Sequence, residues 1–329
     1  MKAKKMKAAI VTGYGSANLI KFTEVPMPQA KANEVLVKIH ASSATRADTM
    51  MRTGKPYFSR LFLGLKKPNK QIPGTGFAGQ IIAVGNEVSN FKVGDPVFGE
   101  TATEFSTNAE YVAVPENGVI IHKPENLSYE EAAAYCDGHL TSMNFLKNVG
   151  KLKAGQKVLI NGASGSLGTS AIQLAKYIGA EVTGVSSNRN VGLVKSLGAD
   201  HVIDYTQEDF TNGDVKYDLI YDTVGLSSFK ESKKVLSKNG AYISPVLKFS
   251  LLGQMLCSSI FGKQKARFEA TGMKKPNELK PMLEELIQIF KKGKLKTVID
   301  RQFPLEKVAQ AHAYIDTGHK KGNVIINSL

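Results

Sequence analysis

The chain has 329 residues, 42% hydrophobic and 22% charged, which is ordinary for a globular protein and sufficient for two domains. Its two cysteines, Cys136 and Cys257, exclude a disulfide framework, and no apolar run approaches the roughly 18 residues of a membrane span. The net charge of +14 suggests an acidic partner, which would be a phosphorylated cofactor, an anionic membrane surface or nucleic acid. The lysines are scattered and no nucleic-acid-binding motif accompanies them, which favours a solvated basic surface.

The first 125 residues are predicted to be rich in β-strands. The lysine-rich start lacks an apolar signal core, which together with the two cysteines predicts a cytoplasmic location. Short strands separated by glycine and proline predict a barrel-like domain, with strands at 7–12, 35–40, 76–84 and 110–114 and a turn followed by a strand within 91–99. Residues 54–73 are irregular and aromatic, which is typical either of a flap over a pocket or of a surface excursion.

From about residue 126 the pattern changes to alternating helices and strands. Predicted helices lie at 129–149, 166–178 and 227–236, and predicted strands at 157–161, 181–186, 201–204, 217–221 and 241–244. This alternation predicts a doubly wound parallel sheet, a Rossmann domain, in an α/β protein. A helix at 281–292 and strands at 297–299 and 324–326 are predicted to follow.

One strand-to-helix turn carries the main functional signal. The register Ala163-x-Gly165-x-x-Gly168 follows an apolar strand and opens an amphipathic helix. Such a turn lets a pyrophosphate approach the backbone at Gly165, where the helix N-terminus supplies aimed N–H groups. The alternative is a glycine turn that serves close packing alone, since alanine replaces the first glycine of the usual fingerprint.

The next strand bears on which dinucleotide would bind. An NAD site usually carries an acidic residue about 20 residues beyond the fingerprint, but the strand at 181–185 leads into Ser186, Ser187, Asn188 and Arg189. Two hydroxyls and a guanidinium suit a 2′-phosphate, so the sequence favours NADPH. The alternative is that Ser187 or Asn188 only caps the following helix and Arg189 is solvated.

These motifs form a longer pattern that resembles the zinc-free quinone oxidoreductases of the medium-chain dehydrogenase/reductase superfamily. The matching stretches are 72–74, 79–85, 91–99, 109–111, 157–168, 197–205 and 221–225. The resemblance implies a GroES-like catalytic domain (1–125 and 273–329), a Rossmann NADP-binding domain (126–272) and an active site in the cleft between them. It also implies a homodimer joined at the Rossmann edge strand, here about 266–270.

The chain departs from the alcohol-dehydrogenase branch of that superfamily at its catalytic zinc positions. Thr45, Thr75 and Gly76 stand where that branch has its Cys and its His-Glu pair, and they cannot supply a thiolate or an imidazole. No metal is therefore expected. Without zinc to polarise an oxygen, the acceptors that remain are electron-poor ones, quinones and α,β-unsaturated carbonyls, which take hydride directly at carbon.

The resemblance also implies site residues. The pyrophosphate would lie against Gly165, Ser166, Leu167 and Gly168, and the 2′-phosphate against Ser187, Arg189 and Tyr205. Contacts with the nicotinamide or its ribose are carried over to Thr141, Val224, Gly225, Pro245, Leu247 and Asn323.

Three residues are candidates for the chemistry. Thr45 would bond the acceptor oxygen or only fill space, Asp48 would hold its loop rather than transfer a proton, and Tyr57 would donate a proton or form an apolar wall. Water could also protonate the product.

The leading prediction is an NADPH-dependent quinone or enone reductase. Other readings are a zinc-free reductase of another carbonyl or acyl acceptor, and a cofactor-binding protein with vestigial catalysis that acts through a partner or nucleic acid.

Overall fold

The computed structural model describes residues 4–328, apart from the side chain of Phe261. These residues form two compact units. The first contains 4–137, 275–284 and 297–328, and the second contains 138–274 and 285–296.

Fifteen strands and ten α-helices are found in residues 4–328. The strands are β1 (Lys5–Val11), β2 (Ile20–Pro26), β3 (Glu34–Ala44), β4 (Gly76–Val84), β5 (Pro96–Glu100), β6 (Tyr111–Pro115), β7 (Val119–His122), β8 (Lys157–Asn161), β9 (Glu181–Ser186), β10 (His201–Asp204), β11 (Tyr217–Asp222), β12 (Leu236–Ser244), β13 (Lys265–Phe268), β14 (Ile299–Pro304) and β15 (Asn323–Asn327). The helices are α1 (Arg46–Thr53), α2 (Arg60–Leu63), α3 (Tyr129–Ala133), α4 (Thr141–Met143), α5 (Ser166–Ile178), α6 (Val191–Ser196), α7 (Phe229–Ser232), α8 (Phe249–Phe261), α9 (Pro276–Lys291) and α10 (Val308–Asp316). Wider π-helical turns at Tyr135–Leu140 and Asn144–Val149 flank α4.

The first unit is β-rich, as predicted. β1 and β2 form an antiparallel hairpin, and the main sheet runs in the order β14-β15-β3-β4-β5-β7, with β6 also paired to β3. Alternate residues of β3, Val35, Val37 and Ile39, are fully buried in the core with Phe77 and Ile81 of β4. Lys38 and His40 on the opposite face are only half-buried, so the predicted period of two is seen in this part of β3, although Leu36 is buried as well.

A buried arginine joins distant parts of the first unit. Arg52, at the end of α1, donates from Nη2 to Asp316 Oδ2 at 2.5 Å, from Nε to His312 Nδ1 at 3.3 Å, and from Nη1 to the carbonyl of Gly15. Burial, together with the neighbouring guanidinium, lowers the pKa of His312 to about 3, so its ring is neutral and Nδ1 accepts. These bonds fix α1 against α10.

The second unit contains a six-stranded sheet with every neighbouring pair parallel, in the order β10-β9-β8-β11-β12-β13. Numbered from β8, this order is 3-2-1-4-5-6, that of the doubly wound Rossmann fold. The predicted α/β class is therefore confirmed. Because the strands are parallel, their carboxyl ends meet along one edge of the sheet, where Asn161, Ser186, Asp204, Asp222 and Ser244 lie.

The structure changes several predicted boundaries. The helix predicted at 281–292 begins at Pro276, because Leu279 is fully buried and anchors an extra first turn ahead of Pro281. The helix predicted at 227–236 is limited to α7, since Leu236 already pairs with Tyr217 in the sheet. The strand predicted at 297–299 starts only at Ile299.

Two segments that the prediction left irregular contain helices. Residues 54–73 contain a short turn at Tyr57–Ser59 and then α2. The whole of α8 was missed, because its apolar residues are interrupted by glycine and serine and give no clear helical period.

Candidate active site

The turn between β8 and α5 is closely packed at two of its glycines. Gly162 has a φ of +79°, and a Cβ there would lie 2.3 Å from Val224 Cγ2. A Cβ at Gly168 would lie 2.2 Å from the carbonyl oxygen of Gly162 and 2.6 Å from the Cα of Ala163, both backbone atoms. The fold itself therefore requires glycine at both positions.

Gly165 is less closely packed than Gly162 and Gly168. Its φ is −79°, and the nearest protein atom to a Cβ there would be the Gly162 carbonyl oxygen at 3.6 Å, an ordinary contact. The protein leaves this space open directly beside the N-terminus of α5, and no side chain among the described residues caps the helix there. This arrangement fits an anionic group that approaches the Gly165 backbone and accepts from first-turn amides.

The predicted pyrophosphate residues are held in place from α4. The hydroxyl of Ser142 donates to the carbonyl of Leu167 at 2.8 Å, which ties α4 to the first turn of α5. Thr141 is the half-buried neighbour of Ser142 on this short helix. The structure thus brings Thr141 to the same region as the Gly165–Gly168 turn.

The residues predicted to contact a 2′-phosphate lie at the ends of β9 and β10. The backbone N–H of Tyr205 donates to the Ser186 carbonyl at 3.1 Å, which places Tyr205 beside the end of β9. Asn190, which no sequence motif indicated, donates from Nδ2 to Ser164 Oγ at 3.0 Å and to Ser187 Oγ at 3.4 Å. Asn190 therefore joins the glycine turn to the Ser187 loop, while Arg189 and Tyr205 are exposed.

Asp222 organises the loop after β11 and was also missed. Its carboxylate accepts from Asn161 Nδ2 at 3.0 Å, from the amide of Gly225 at 2.9 Å and from the hydroxyl of Tyr242 at 2.7 Å. The amides of Val224 and Ser227 donate to it at 3.2 Å. A buried aspartate directly after an apolar strand and before a glycine was the available signal, because such a carboxylate must find several donors.

The hydrogen bonds to Asp222 fix the remaining predicted contacts of the second unit. Val224 is half exposed, and Gly225, with a φ of +72°, has no room for a Cβ, which would lie 2.6 Å from Val246 Cβ. The Ser244 hydroxyl donates to the Asp222 carbonyl at 2.8 Å and accepts from the amide of Val246 at 3.2 Å. Pro245 and Leu247, on either side of Val246, are thereby set beside the Val224–Gly225 turn.

In the first unit, Thr45 and Asp48 form one hydrogen-bonded group. Asp48 Oδ2 accepts from the Thr45 hydroxyl at 2.8 Å and from the Thr45 amide at 2.7 Å, a capping box at the start of α1. Asp48 Oδ1 accepts from the Gly74 amide at 2.8 Å. The side chain of Asp48 therefore holds the loop at Gly74 against α1, and the Thr45 proton points to Asp48.

Two buried carboxyl groups of this unit have raised pKa values. Burial raises the pKa of Asp48 to about 6, against the opposing effect of its three hydrogen bonds and with a further contribution from the charge of Asp137. Burial and Asp137 raise the pKa of Glu100, at the end of β5, to about 8. Glu100 is thus mostly protonated at neutral pH. The sequence offered only a weak signal, a glutamate that ends an apolar strand.

Asn323 and Tyr57 lie in different surroundings. Val324 pairs with Ala44, which places Asn323 next to Thr45 at one end of β15, and Asn323 Nδ2 donates to the Val298 carbonyl at 3.0 Å. Tyr57 is largely exposed, and the guanidinium of Arg60 lies 4.9 Å from its ring centroid. Tyr57 is therefore on an outer turn rather than in the Thr45 group.

Residues 4–328 contain neither a cluster of metal ligands nor a membrane-spanning helix. Within residues 4–328, no three His, Cys, Asp or Glu side chains are grouped so that they could hold a metal ion. None of the helices formed by these residues has the length and apolar character needed to cross a membrane.

Two known domain families match the chain. Residues 31–125 match the alcohol dehydrogenase GroES-like domain, and residues 197–326 match a family described as zinc-binding dehydrogenase. The GroES-like match covers most of the β-rich first unit, as the resemblance implied.

Whole-length relatives agree with these matches. The 2-methylene-furan-3-one reductase of Solanum lycopersicum is 34% identical, over 99% of this chain and 80% of the relative. The chloroplastic NADPH-dependent alkenal/one oxidoreductase of Arabidopsis thaliana is 30% identical, over 98% of this chain and 80% of the relative. The solved quinone oxidoreductase of Coxiella burnetii superposes with a TM-score of 0.88 at 30% identity, covering 99% of this chain and all of the other. The chain therefore belongs to the zinc-independent quinone oxidoreductase family of the medium-chain dehydrogenase/reductase superfamily and is a nicotinamide-dependent reductase.

Proposed function

We propose that this protein is an NADPH-dependent, zinc-independent reductase that transfers hydride to a quinone or an α,β-unsaturated carbonyl compound. The observation that carries the proposal is the open space at Gly165 beside the uncapped start of α5, where the described residues leave room that a Cβ would fill. Two of the relatives, an alkenal/one oxidoreductase and a quinone oxidoreductase, support the acceptor class.

The preference for NADPH rests on the end of β9. No acidic residue occurs between Glu181 and Asp200, so a carboxylate for the ribose hydroxyls of NADH is missing from this stretch of sequence. We propose that Ser187, Arg189 and Tyr205 bind the 2′-phosphate, with Arg189 as the main contact because guanidinium pairs with phosphate oxygens in a bidentate manner. Asn190 would keep Ser187 in register with the glycine turn.

The remaining cofactor contacts would be set by backbone geometry. First-turn amides at Ser166, Leu167 and Gly168 would bind the pyrophosphate. We propose that the nicotinamide riboside lies against the predicted set of Thr141, Val224, Gly225, Pro245, Leu247 and Asn323. Asp222 would act as a positioning residue for Val224 and Gly225 through its bonds to their amides.

When bound, the cofactor supplies a hydride, and the protein must align the acceptor and provide for a proton. Hydride adds to the electron-poor carbon of the acceptor, and one proton completes the reduced product. We propose that Thr45 and Asp48 position the Gly74 loop rather than transfer this proton, because the Thr45 hydroxyl and both Asp48 oxygens are already engaged. Water, or Tyr57 from its exposed turn, would supply the proton.

The test follows NADPH and NADH oxidation by absorbance with a panel of quinones and enones, with and without a chelator. We expect chelator-insensitive turnover that favours NADPH. Arg189→Ala should raise the KM for NADPH roughly tenfold, the value of one charge-assisted phosphate contact, and leave that for NADH unchanged. Lys195→Ala, an exposed cation on α6, is the matched control.

Three results would contradict the proposal in different ways. Equal effects of the Arg189 and Lys195 variants would remove the argument for NADPH. Loss of turnover with chelator would mean that a metal takes part. Tight NADPH binding without turnover on any acceptor would favour a cofactor-binding protein with vestigial catalysis.

We also infer the assembly and domain division that the resemblance implies. β13 is the edge strand of the parallel sheet, and an isologous contact there would join two copies into a homodimer. The proposed domains are 1–125 with 273–329, and 126–272. Light scattering during size-exclusion chromatography measures the mass directly, and a monomer would overturn the dimer.

The cytoplasmic location stays a prediction, and the Arabidopsis relative is chloroplastic.

A further inference from the structure

Four large side chains between residues 57 and 65 face solvent. Tyr57, Leu61, Phe62 and Leu65 are each at least 66% exposed, and Phe62 reaches 82%. Four exposed large side chains within nine residues are unusual on a protein surface and indicate a place where an apolar partner binds.

The exposure is built into an ordered segment. Arg60 lies over the ring of Tyr14, 4.3 Å from its centroid, and donates to the Gly54 carbonyl at 3.2 Å. The Tyr14 hydroxyl donates to the Gly64 carbonyl at 2.5 Å, and the Asn69 amide donates to the Leu63 carbonyl at 2.7 Å. The base of the segment is thus fixed to the core, and its outer side chains are held outward.

The charged residues of this segment all have one sign. No aspartate or glutamate occurs between Asp48 and Glu87, whereas Lys55, Lys66 and Lys67 are all exposed. None of these three lysines forms an ion pair with a carboxylate of residues 4–328. Lys70, by contrast, is already paired with Glu104 from a neighbouring segment.

We propose that this surface, the 55–67 face (Lys55, Leu61, Phe62, Leu65, Lys66 and Lys67), docks on an anionic phospholipid bilayer. Exposed aromatic and leucine side chains insert at the boundary between headgroups and acyl chains, and lysines beside them pair with lipid phosphates. A second copy of the chain fits less well, because an isologous contact would bring these lysines against themselves. Lipid docking needs neither cofactor nor turnover and does not rest on the proposed function.

The test measures co-sedimentation of the full chain with phosphatidylcholine vesicles, with and without phosphatidylserine, at low and high salt. Phe62→Ser and the double variant Lys66→Glu/Lys67→Glu each remove one part of the face. We expect each to lower partitioning onto phosphatidylserine vesicles roughly tenfold or more. Thermal unfolding of each variant checks that the fold is intact.

Matched controls distinguish binding through this face from nonspecific adsorption to the vesicles. Met273→Ser removes another exposed apolar side chain, and Lys233→Glu/Lys234→Glu makes the same change in net charge elsewhere on the surface. Salt-sensitive binding that both controls retain and both test variants lose would support the proposal. Equal losses in controls and test variants would overturn it. Vesicle binding that is absent from the start would also overturn it, as would self-association that Phe62→Ser abolishes.

Discussion

Substituting alanine at Gly165 and at Gly168 should have opposite consequences, although the two glycines are three residues apart in one turn. At Gly168 the new methyl group would lie 2.2 Å from a backbone oxygen, and neither partner can move without shifting β8 or α5. At Gly165 the nearest atom would be at 3.6 Å, so the fold accepts the methyl group and only a ligand would meet it.

The magnitudes follow from these distances. Overpacking of this kind costs about 1–3 kcal/mol, and the backbone contacts place Gly168→Ala near the upper end. For Gly165→Ala, the loss of a good helix N-cap costs about 0.5–1 kcal/mol, and the smaller conformational freedom of the unfolded chain offsets a similar amount. Its free energy of unfolding should therefore stay within about 1 kcal/mol of wild type, while the Kd for NADPH rises about tenfold or more.

Urea denaturation and NADPH fluorescence titration measure the two quantities on the same preparations. We expect Gly168→Ala to unfold at lower urea and Gly165→Ala to unfold normally but bind NADPH weakly. Wild-type affinity in Gly165→Ala would refute the assignment of the open space to the cofactor. Wild-type stability in Gly168→Ala would refute the packing argument.

Three further predictions concern buried polar groups. Glu100 has a pKa of about 8 in the folded state, against 4.5 for an ordinary glutamate, so the free energy of unfolding of the wild type should fall as the pH rises from about 4.5 to 8. In Glu100→Gln this fall should be smaller. The same change in urea midpoint between pH 5 and pH 9 in both proteins would contradict the burial effect. Arg52→Lys cannot form all three bonds of the arginine and should lose about 2–4 kcal/mol in urea denaturation, whereas an unchanged midpoint would show that the arginine is dispensable. Tyr242→Phe removes the hydroxyl bond to Asp222 and should cost about 1–3 kcal/mol and weaken NADPH binding; stability lost with affinity unchanged would show that Asp222 does not position the cofactor loop.

The sequence was sufficient for the fold class and for the location of the glycine turn, because both depend on local patterns. The order of apolar strands and helices predicts a parallel sheet, and that sheet is observed. The pattern could not show which of Gly162, Gly165 and Gly168 packs against protein atoms and which leaves room for a ligand. Gly162 faces Val224 from a distant segment, Gly168 faces the backbone of Gly162 in its own turn, and Gly165 faces open space. These differences depend on the folded shape of the turn, which the glycine spacing alone does not give.

The same limit explains the residues that were missed. Asp222 gains donors from Asn161 and Tyr242, which are neighbours only because β8, β11 and β12 lie side by side. Asn190 reaches Ser164 across the sheet edge in the same way. Thr45 and Asp48 bond to each other within one helical turn, whereas the Gly74 amide that also donates to Asp48 belongs to another segment, and the sequence did not indicate that bond.

The sheet order of the first unit also determines when that unit can finish folding. β15 lies between β14 and β3, and the cluster that contains Val11 and Met51 is completed by Val308 and Ile326. A ribosome makes these partners after β1–β13, whereas the six strands of the parallel sheet follow one another without interruption. During translation the second unit can pair its strands early, while one edge of β3 and part of an apolar cluster wait for β15. Chains released before β15 should therefore be captured by chaperones or degraded, even though their parallel sheet is complete.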